Sequence, residues 1–540
     1  MKRIAGGLVL LAVFASCLWA TYPEIAKNGI VNAASFKMAG IPGSAIARGS
    51  LFALFGADMG PDPGVGVSSF PLETTLAGVS IHGTGPGGAS VDAFPIYVSS
   101  GQINALLPSN APLGSVAFSV EYQGRRGLPV FVEVVDTSLG IFTWGGGQAI
   151  IQNYVSEGQT PLNKLSNPAS PGQVLIAYGT GLGAIREPDH LPAPGGDMNV
   201  PVEILVGGRP ATRLYAGRAP GFSGLDQINF QVPADAPAGC YVPVAIKAGG
   251  FYSNAATIAI SSSKGVCSDP LNPFSGTLAG AGNRLLGAIA VTRASLHIFL
   301  YPDHPFLVFD APVETASASF FRADESFLNA DLTLPPLGAC AVLGMKAPED
   351  PNKALVHPPN GLKDAGAPLQ ISGPMGTRQI ARAVLGDYFA LLGGGVPLVG
   401  LPTPLPPFLQ PGQYTVKGAG SAEVGAFSAT VNLSAPLTWT NRDRISTIGG
   451  GVLNCPTIAR DQPLTLTWSG GNPGREIAII TGLSLTGGNF DAQGFFVCTA
   501  SLAAGSFTIP AWVLSSLPAS ATSGDIVGVL LVGNTDYPHA

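Results

Sequence analysis

The segment Gln102-Ile103-Asn104-Ala105-Leu106-Leu107-Pro108 returns later as Gln227-Ile228-Asn229-Phe230-Gln231-Val232-Pro233. One offset relates Gln102 to Gln227, Ile103 to Ile228, Asn104 to Asn229 and Pro108 to Pro233. The surroundings repeat as well. Upstream, Gly49-Ser50-Leu51-Phe52-Ala53-Leu54-Phe55-Gly56 corresponds to Gly172-Gln173-Val174-Leu175-Ile176-Ala177-Tyr178-Gly179, and Gly78-Val79-Ser80-Ile81-His82-Gly83 to Glu203-Ile204-Leu205-Val206-Gly207-Gly208. Downstream, Ala111-Pro112-Leu113-Gly114 and Ala236-Pro237-Ala238-Gly239 each lead into a strand pair turned by Gln123-Gly124 or Gly249-Gly250. Val79 and Ile81 alternate with polar residues, as a half-buried strand requires. About seven short strands in roughly 110–125 residues is the pattern of an immunoglobulin-like β-sandwich, which buries alternate residues of two sheets. The repeat therefore predicts two such domains, at residues 30–138 and 139–262.

Composition extends the all-β reading to the rest of the chain. A chain of 540 residues suggests about three to five domains. Gly (72) and Pro (48) are interspersed with Val, Ile, Thr and Phe runs, so they read as turns between short strands. Residues 263–290 read as a linker. Residues 291–432 read as a β-rich domain with Pro-rich loops, and residues 433–540 as a further sandwich. In the last of these, Leu464, Leu466 and Trp468 share one face. The fold class expected is all-β: tandem immunoglobulin-like sandwiches followed by further β domains. The net charge of −6 comes without a basic patch, which argues against nucleic acid as a partner.

Six motifs in order resemble a known module. They are Asn32-Ala33-Ala34-Ser35-Phe36, the 49–56 run, Tyr97-Val98-Ser99-Ser100-Gly101-Gln102-Ile103-Asn104, Leu139-Gly140-Ile141-Phe142, Tyr178-Gly179-Thr180-Gly181-Leu182-Gly183, and Ala219-Pro220-Gly221-Phe222-Ser223-Gly224-Leu225-Asp226-Gln227-Ile228-Asn229. Together they are similar to the uncharacterised Solibacter-type C-terminal domain family of exported acidobacterial proteins, itself similar to paired IPT/TIG immunoglobulin-like domains. The resemblance covers residues 30–260 and implies a fold and export. It brings no activity or catalytic residue with it. Here about 280 residues follow the module, so its place as a C-terminal appendage is not kept.

The N-terminus reads as a targeting segment. Lys2 and Arg3 precede an uncharged, mostly apolar stretch, 4–20, that is short against the roughly 20 residues of a membrane span. Cleavage after Ala20 predicts a secreted or cell-surface protein with no transmembrane span in the mature chain. Phe14-Ala15-Ser16-Cys17 offers a lipoprotein signal as the alternative. Export makes paired cysteines the expectation. The pairs predicted are Cys240 with Cys267 and Cys455 with Cys498, leaving Cys340 as a small buried apolar residue.

Chemistry is sparse. Gly83-Thr84-Gly85-Pro86-Gly87-Gly88 fits the G-x-G-x-x-G string and residues 179–184 the form ending in alanine, but no helix is expected after either, so both read as turns. Gly221-Phe222-Ser223-Gly224 falls short of a nucleophile elbow. Tyr301-Pro302-Asp303-His304-Pro305 is the most site-like cluster, and Asp58 and Asp62 flank a turn without the ligand density of a calcium loop. No cofactor, metal or catalytic residue is assigned. Trp144 beside Gly145-Gly146-Gly147 is the candidate ligand contact, with interdomain packing as its plainer role. The function expected is a non-enzymatic interaction or structural protein at the cell surface, its partner an unknown protein or polysaccharide. The alternatives are a polysaccharide-binding protein and a hydrolase sited in residues 291–432.

Overall fold

The computed structural model describes residues 22–144, 147–263, 265–280, 282–299, 308–326, 333–345, 361–384, 386–395, 404–446, 457–486, 492–520 and 528–537. The first sandwich is built from β1 (Glu24–Asn32), β2 (Leu51–Ala57), β3 (Val79–Thr84), β4 (Ser90–Val98), β5 (Gln102–Leu106), β6 (Gly114–Tyr122) and β7 (Val130–Val135). One sheet runs β1-β2-β5-β4 and the other β4-β3-β6-β7. β4 serves both because its register shifts between Pro95 and Tyr97, where proline has no amide to give to the ladder. Phe52, Leu54, Ile81, Ile103 and Phe118 fill the space between the sheets.

The second sandwich repeats the plan with β8 (Val174–Thr180), β9 (Val202–Val206), β10 (Thr212–Arg218), β11 (Asp226–Gln231), β12 (Gly239–Ala248) and β13 (Ala256–Ile260). β8-β11-β10 faces β13-β12-β9 across Leu175, Ile228, Phe230, Val206 and Val244. The repeated Gln-Ile-Asn now has a physical meaning. In each copy the isoleucine, Ile103 or Ile228, is fully buried. On the opposite face the flanking amides bond to each other: Gln102 Nε2 donates to Asn104 Oδ1 at 2.9 Å, and Gln227 Nε2 to Asn229 Oδ1 at 3.0 Å. Alternation puts positions i and i+2 on one side of a strand, so the amide pair and the buried residue are set by one pattern.

Residues 24–32 begin ahead of the expected domain boundary at residue 30 and are a strand of the first sandwich. Its alternation is broken by a register shift between Ile25 and Ile30, around Asn28 with φ of 59°.

The third unit contains β14 (Arg284–Phe299) and β15 (Val308–Ala323). The chain then leaves it for β16 (Cys340–Met345) and returns with β17 (Leu369–Gly373), β18 (Gly376–Arg382), β19 (Tyr388–Gly394), β20 (Gly412–Gly418) and β21 (Phe427–Leu433). These strands run β14-β15-β19-β18-β17-β20-β21 and fold over Phe320, Leu369, Ile371, Tyr388 and Tyr414. The third unit thus begins before residue 291. The preceding stretch, expected as a linker, is packed: Leu271 and Leu278 are buried, and Asp269 Oδ2 accepts from Cys240 N at 3.1 Å.

The last unit holds β22 (Leu464–Gly470), β23 (Glu476–Thr486), β24 (Ala492–Ser501), β25 (Ser506–Ile509) and β26 (Gly528–Asp536). Its larger sheet is β16-β24-β23-β26, so a strand from the middle of the third unit completes it. This corrects the disulfide assignment. Cys240 is joined to Cys267, as expected, but Cys498 is joined to Cys340 rather than to Cys455. Register is the reason: Cys340 lies directly opposite Cys498 on adjacent antiparallel strands. Cys455 lies outside the described residues, as do the segment 1–20 with Cys17 and the cluster 301–305.

Candidate functional site

The two repeats meet in a buried polar junction. Arg218, at the end of β10, forms an ion pair with Asp226, at the start of β11, and both side chains are sealed from solvent. The Arg218 guanidinium also donates to the carbonyls of Gly49 in the first sandwich and Gly183 in the second, the latter at 2.6 Å. Burial pushes the Asp226 carboxyl up, opposed by the Arg218 charge and by the Leu182 amide, which donates to it at 2.7 Å. Asn32 Nδ2 donates to the carbonyls of Ser138 and Thr180, at 3.1 and 3.0 Å. Thr180 Oγ1 accepts from Leu51 N at 2.8 Å. The Lys37 ammonium donates to Tyr252 O across the junction at 2.6 Å and to Pro42 O at 2.8 Å, and burial pulls its pKa down to about 8.

Beside this junction lies an open cleft of about 510 Å³. One wall is the outward face of β4, with Ser90, Asp92 and Phe94; the other is the loop of the second repeat that carries Arg186, Glu187 and His190. The loop is tied down by Asp189. Its Oδ2 accepts from Ser109 N and its Oδ1 from Ser109 Oγ, both at 2.7 Å. The Leu72 amide donates to His190 O at 2.8 Å, and the His190 ring lies 6.2 Å from that of Phe94. Arg186, Glu187 and Asn110 are exposed at the rim. Asp92 is already engaged, since His82 Nδ1 lies 2.7 Å from its Oδ1, with Glu121 3.7 Å from the other ring nitrogen. The arrangement offers hydrogen-bond donors and acceptors beside the Phe94 and His190 rings, on walls from two joined domains. It can hold a polar ligand in a fixed orientation.

The residues singled out in the sequence lie elsewhere. Trp144 stands in a short hairpin with Gln148–Ala149, 42% exposed. Trp468 is core and donates to Leu502 O, Trp439 donates to Asn441 Oδ1, and the Trp512 ring meets Tyr252 at 5.8 Å. No exposed aromatic row therefore forms among these four tryptophans, the ones within the described residues. Residues 86–88 form a single 3-10 turn, broken at Gly87 by a φ of 70°, and strand β4 rather than an α-helix follows it. Ser223 Oγ donates to Leu191 O inside a loop. Among the described residues no three His, Cys, Asp or Glu side chains group as metal ligands, and no helix is long and apolar enough to cross a membrane. The described part of residues 291–432 packs around the core of the third unit, and Asp303 and His304 lie outside the described residues.

Sequence reasoning missed Arg218, Asp189 and the cleft. A trace of the first was present: Asp226 stands where the first repeat has Gly101.

No protein-family model matches the chain, and no curated protein does. Among solved structures, it is similar to a tetra-tandem repeat from the extending region of a large adhesion protein, at 12% identity over 91% of this chain and 97% of that one, with a TM-score of 0.14. It is also similar to SGBP-B of the Bacteroides ovatus mixed-linkage glucan utilization locus, solved with a mixed-linkage heptasaccharide, at 13% identity over 96% and 97% of the two chains, TM-score 0.13. A third is the surface glycan-binding protein PbSGBP-B of Prevotella bryantii, at 12% identity over 96% and 98%, TM-score 0.15. Likenesses this slight say nothing of a ligand or partner.

Proposed function

We propose that this is a non-enzymatic interaction protein of the cell surface or extracellular space, in which the paired sandwiches form one rigid recognition body. The observation that carries the reading is the seam between them. A buried ion pair and several cross-domain hydrogen bonds hold two walls in fixed relation, and a polar cleft opens beside them. Such a site favours binding because its polar groups are prepositioned, which lowers the ordering cost of association. The two disulfides suit an oxidising compartment, and the export signal read in residues 1–20 agrees with that. The resemblance to the Solibacter-type module supports the same placement.

Within this reading, a polysaccharide is the ligand the cleft fits best. Phe94 offers an apolar face to a sugar ring, and Asn110, Arg186 and Glu187 offer partners to its hydroxyls. The test is co-sedimentation of purified residues 21–540 with insoluble polysaccharides, peptidoglycan and whole cells. Saturable binding to a glycan supports the second, finer statement. Binding to cells alone supports a protein partner. Absence of saturable binding to any of them overturns the proposal.

A further inference from the structure

β14 is an unusual edge. It ends the seven-stranded run of the third unit, and no strand pairs with its outer side among the described residues. Its 16 residues pair with β15 from Arg284 opposite Ala323 to Phe299 opposite Val308, with no shift of register. Sheet edges of that length are normally blunted by proline, bulges or charge, because their unpaired amides and carbonyls template another strand. β14 has no proline, and Arg293 is the one lysine, arginine or carboxylate after Arg284. Arg293 does not guard the edge. Its guanidinium turns across the sandwich to the carbonyls of Leu409 and Ser434, at 3.1 and 3.3 Å. Ile289 and Val291 face the core of the third unit, while Leu286 and Ala288, on the opposite face, pack against the disulfide-bearing segment. Ala290, Thr292 and Ser295 are exposed.

We propose that β14 pairs antiparallel with β14 of a second copy of this chain, about a twofold axis at Ala290, so that two sheets become one. This goes beyond the cleft and does not depend on what the cleft binds. Register follows from the side chains. A slip of one residue would exchange core and solvent faces, so odd-numbered residues must oppose odd-numbered ones. Centring on Ala290 sets Ile289 of each copy opposite Val291 of the other, a β-branched cross-strand pair formed twice. It sets Arg293 opposite Gly287, where no side chain or like charge competes. Centring on Arg293 would put two arginines face to face. An edge with this alternation needs a strand that is nearly free of charge and alternates β-branched with small residues, and β14 itself is such a strand. The contact is isologous and closes as a dimer.

The test is sedimentation equilibrium of the disulfide-bonded chain over a wide concentration range. A concentration-dependent dimer is expected. Ala290→Lys opposes two ammonium groups and should return the chain to monomer with an unchanged melting profile. Ala290→Cys should give a covalent dimer under mild oxidation, and Thr292→Cys, which faces Ala288 of the other copy, should not. A monomer at every concentration overturns the proposal and leaves the edge to a foreign extended segment. A dimer indifferent to Ala290→Lys, with no cross-link through Ala290→Cys, also overturns it.

Discussion

Arg218 of the second sandwich donates a hydrogen bond to the backbone carbonyl of Gly49 in the first, across 169 residues of sequence. Its other arm is held by Asp226, so one buried guanidinium joins two domains. Removing one partner of a buried ion pair costs more than the pair contributes, because a buried charge is left alone. Arg218→Ala should therefore destabilise the paired sandwiches by about 3–5 kcal/mol. Thermal unfolding should show the loss, and small-angle scattering should show a broader spread of interdomain distances. A single unchanged transition with unchanged scattering would show that the junction does not depend on Arg218.

The second disulfide makes a prediction about connectivity. Peptide mapping without reduction should recover Cys340 linked to Cys498, and Cys240 to Cys267. Replacing Cys340 and Cys498 together by Ser should cost about 2–5 kcal/mol, because the bridge closes a long loop. The loss should appear first in the last unit, where β16 is an edge strand held by that bond. A recovered Cys455–Cys498 peptide would contradict the register of β16.

Glu314 is buried on β15, and its Oε2 accepts the amides of Phe408 and Leu409, at 2.6 and 2.9 Å. Glu314→Ala leaves two amides without that acceptor. Hydrogen bonds to a charged group are worth about 1.5–3 kcal/mol each, so a drop of at least about 2 kcal/mol is expected in denaturant unfolding of the third unit. An unchanged midpoint would show that the amides find other partners.

Lys37 gives the junction a dependence on pH. Burial holds its folded pKa near 8, below the usual 10.5. The unfolded chain then binds more protons between those values, so folding gains stability as pH rises from about 8 toward 10.5 and gives up that gain as pH falls back to about 8, below which both states are protonated. Lys37→Met should flatten that rise relative to the wild type. A slope that persists in the variant would assign it to another group.

How much of this was legible in the sequence depends on whether the cause is local. Ile103 and Ile228 lie between amides two residues apart, and that spacing announces both the strand and its buried face. The partner of Cys498 was hidden because β16 is separated from the last unit by most of the third, and proximity in sequence favoured Cys455. The packed state of residues 263–290 was hidden for a related reason: Asp269 and Asn272 look like turn residues until their partners, Cys240 N and Leu334 O, are known. The cleft depends on Ser109 meeting Asp189, 80 residues away, which neither repeat encodes alone. Trp144 stood out by residue type, but its hairpin places it outside the residues that line the cleft.

The most telling experiment is a binding isotherm of purified residues 21–540 on intact cells and isolated surface polysaccharide, for the wild type and for the rim variant Asn110→Ala/Arg186→Ala. Both side chains are exposed, so the variant should fold and melt like the wild type. Saturable binding by the wild type is expected, with at least about tenfold weaker binding by the variant, a loss of about 1.4 kcal/mol. Wild-type binding that does not saturate, or a rim variant that binds equally well, would contradict the cleft as the recognition site.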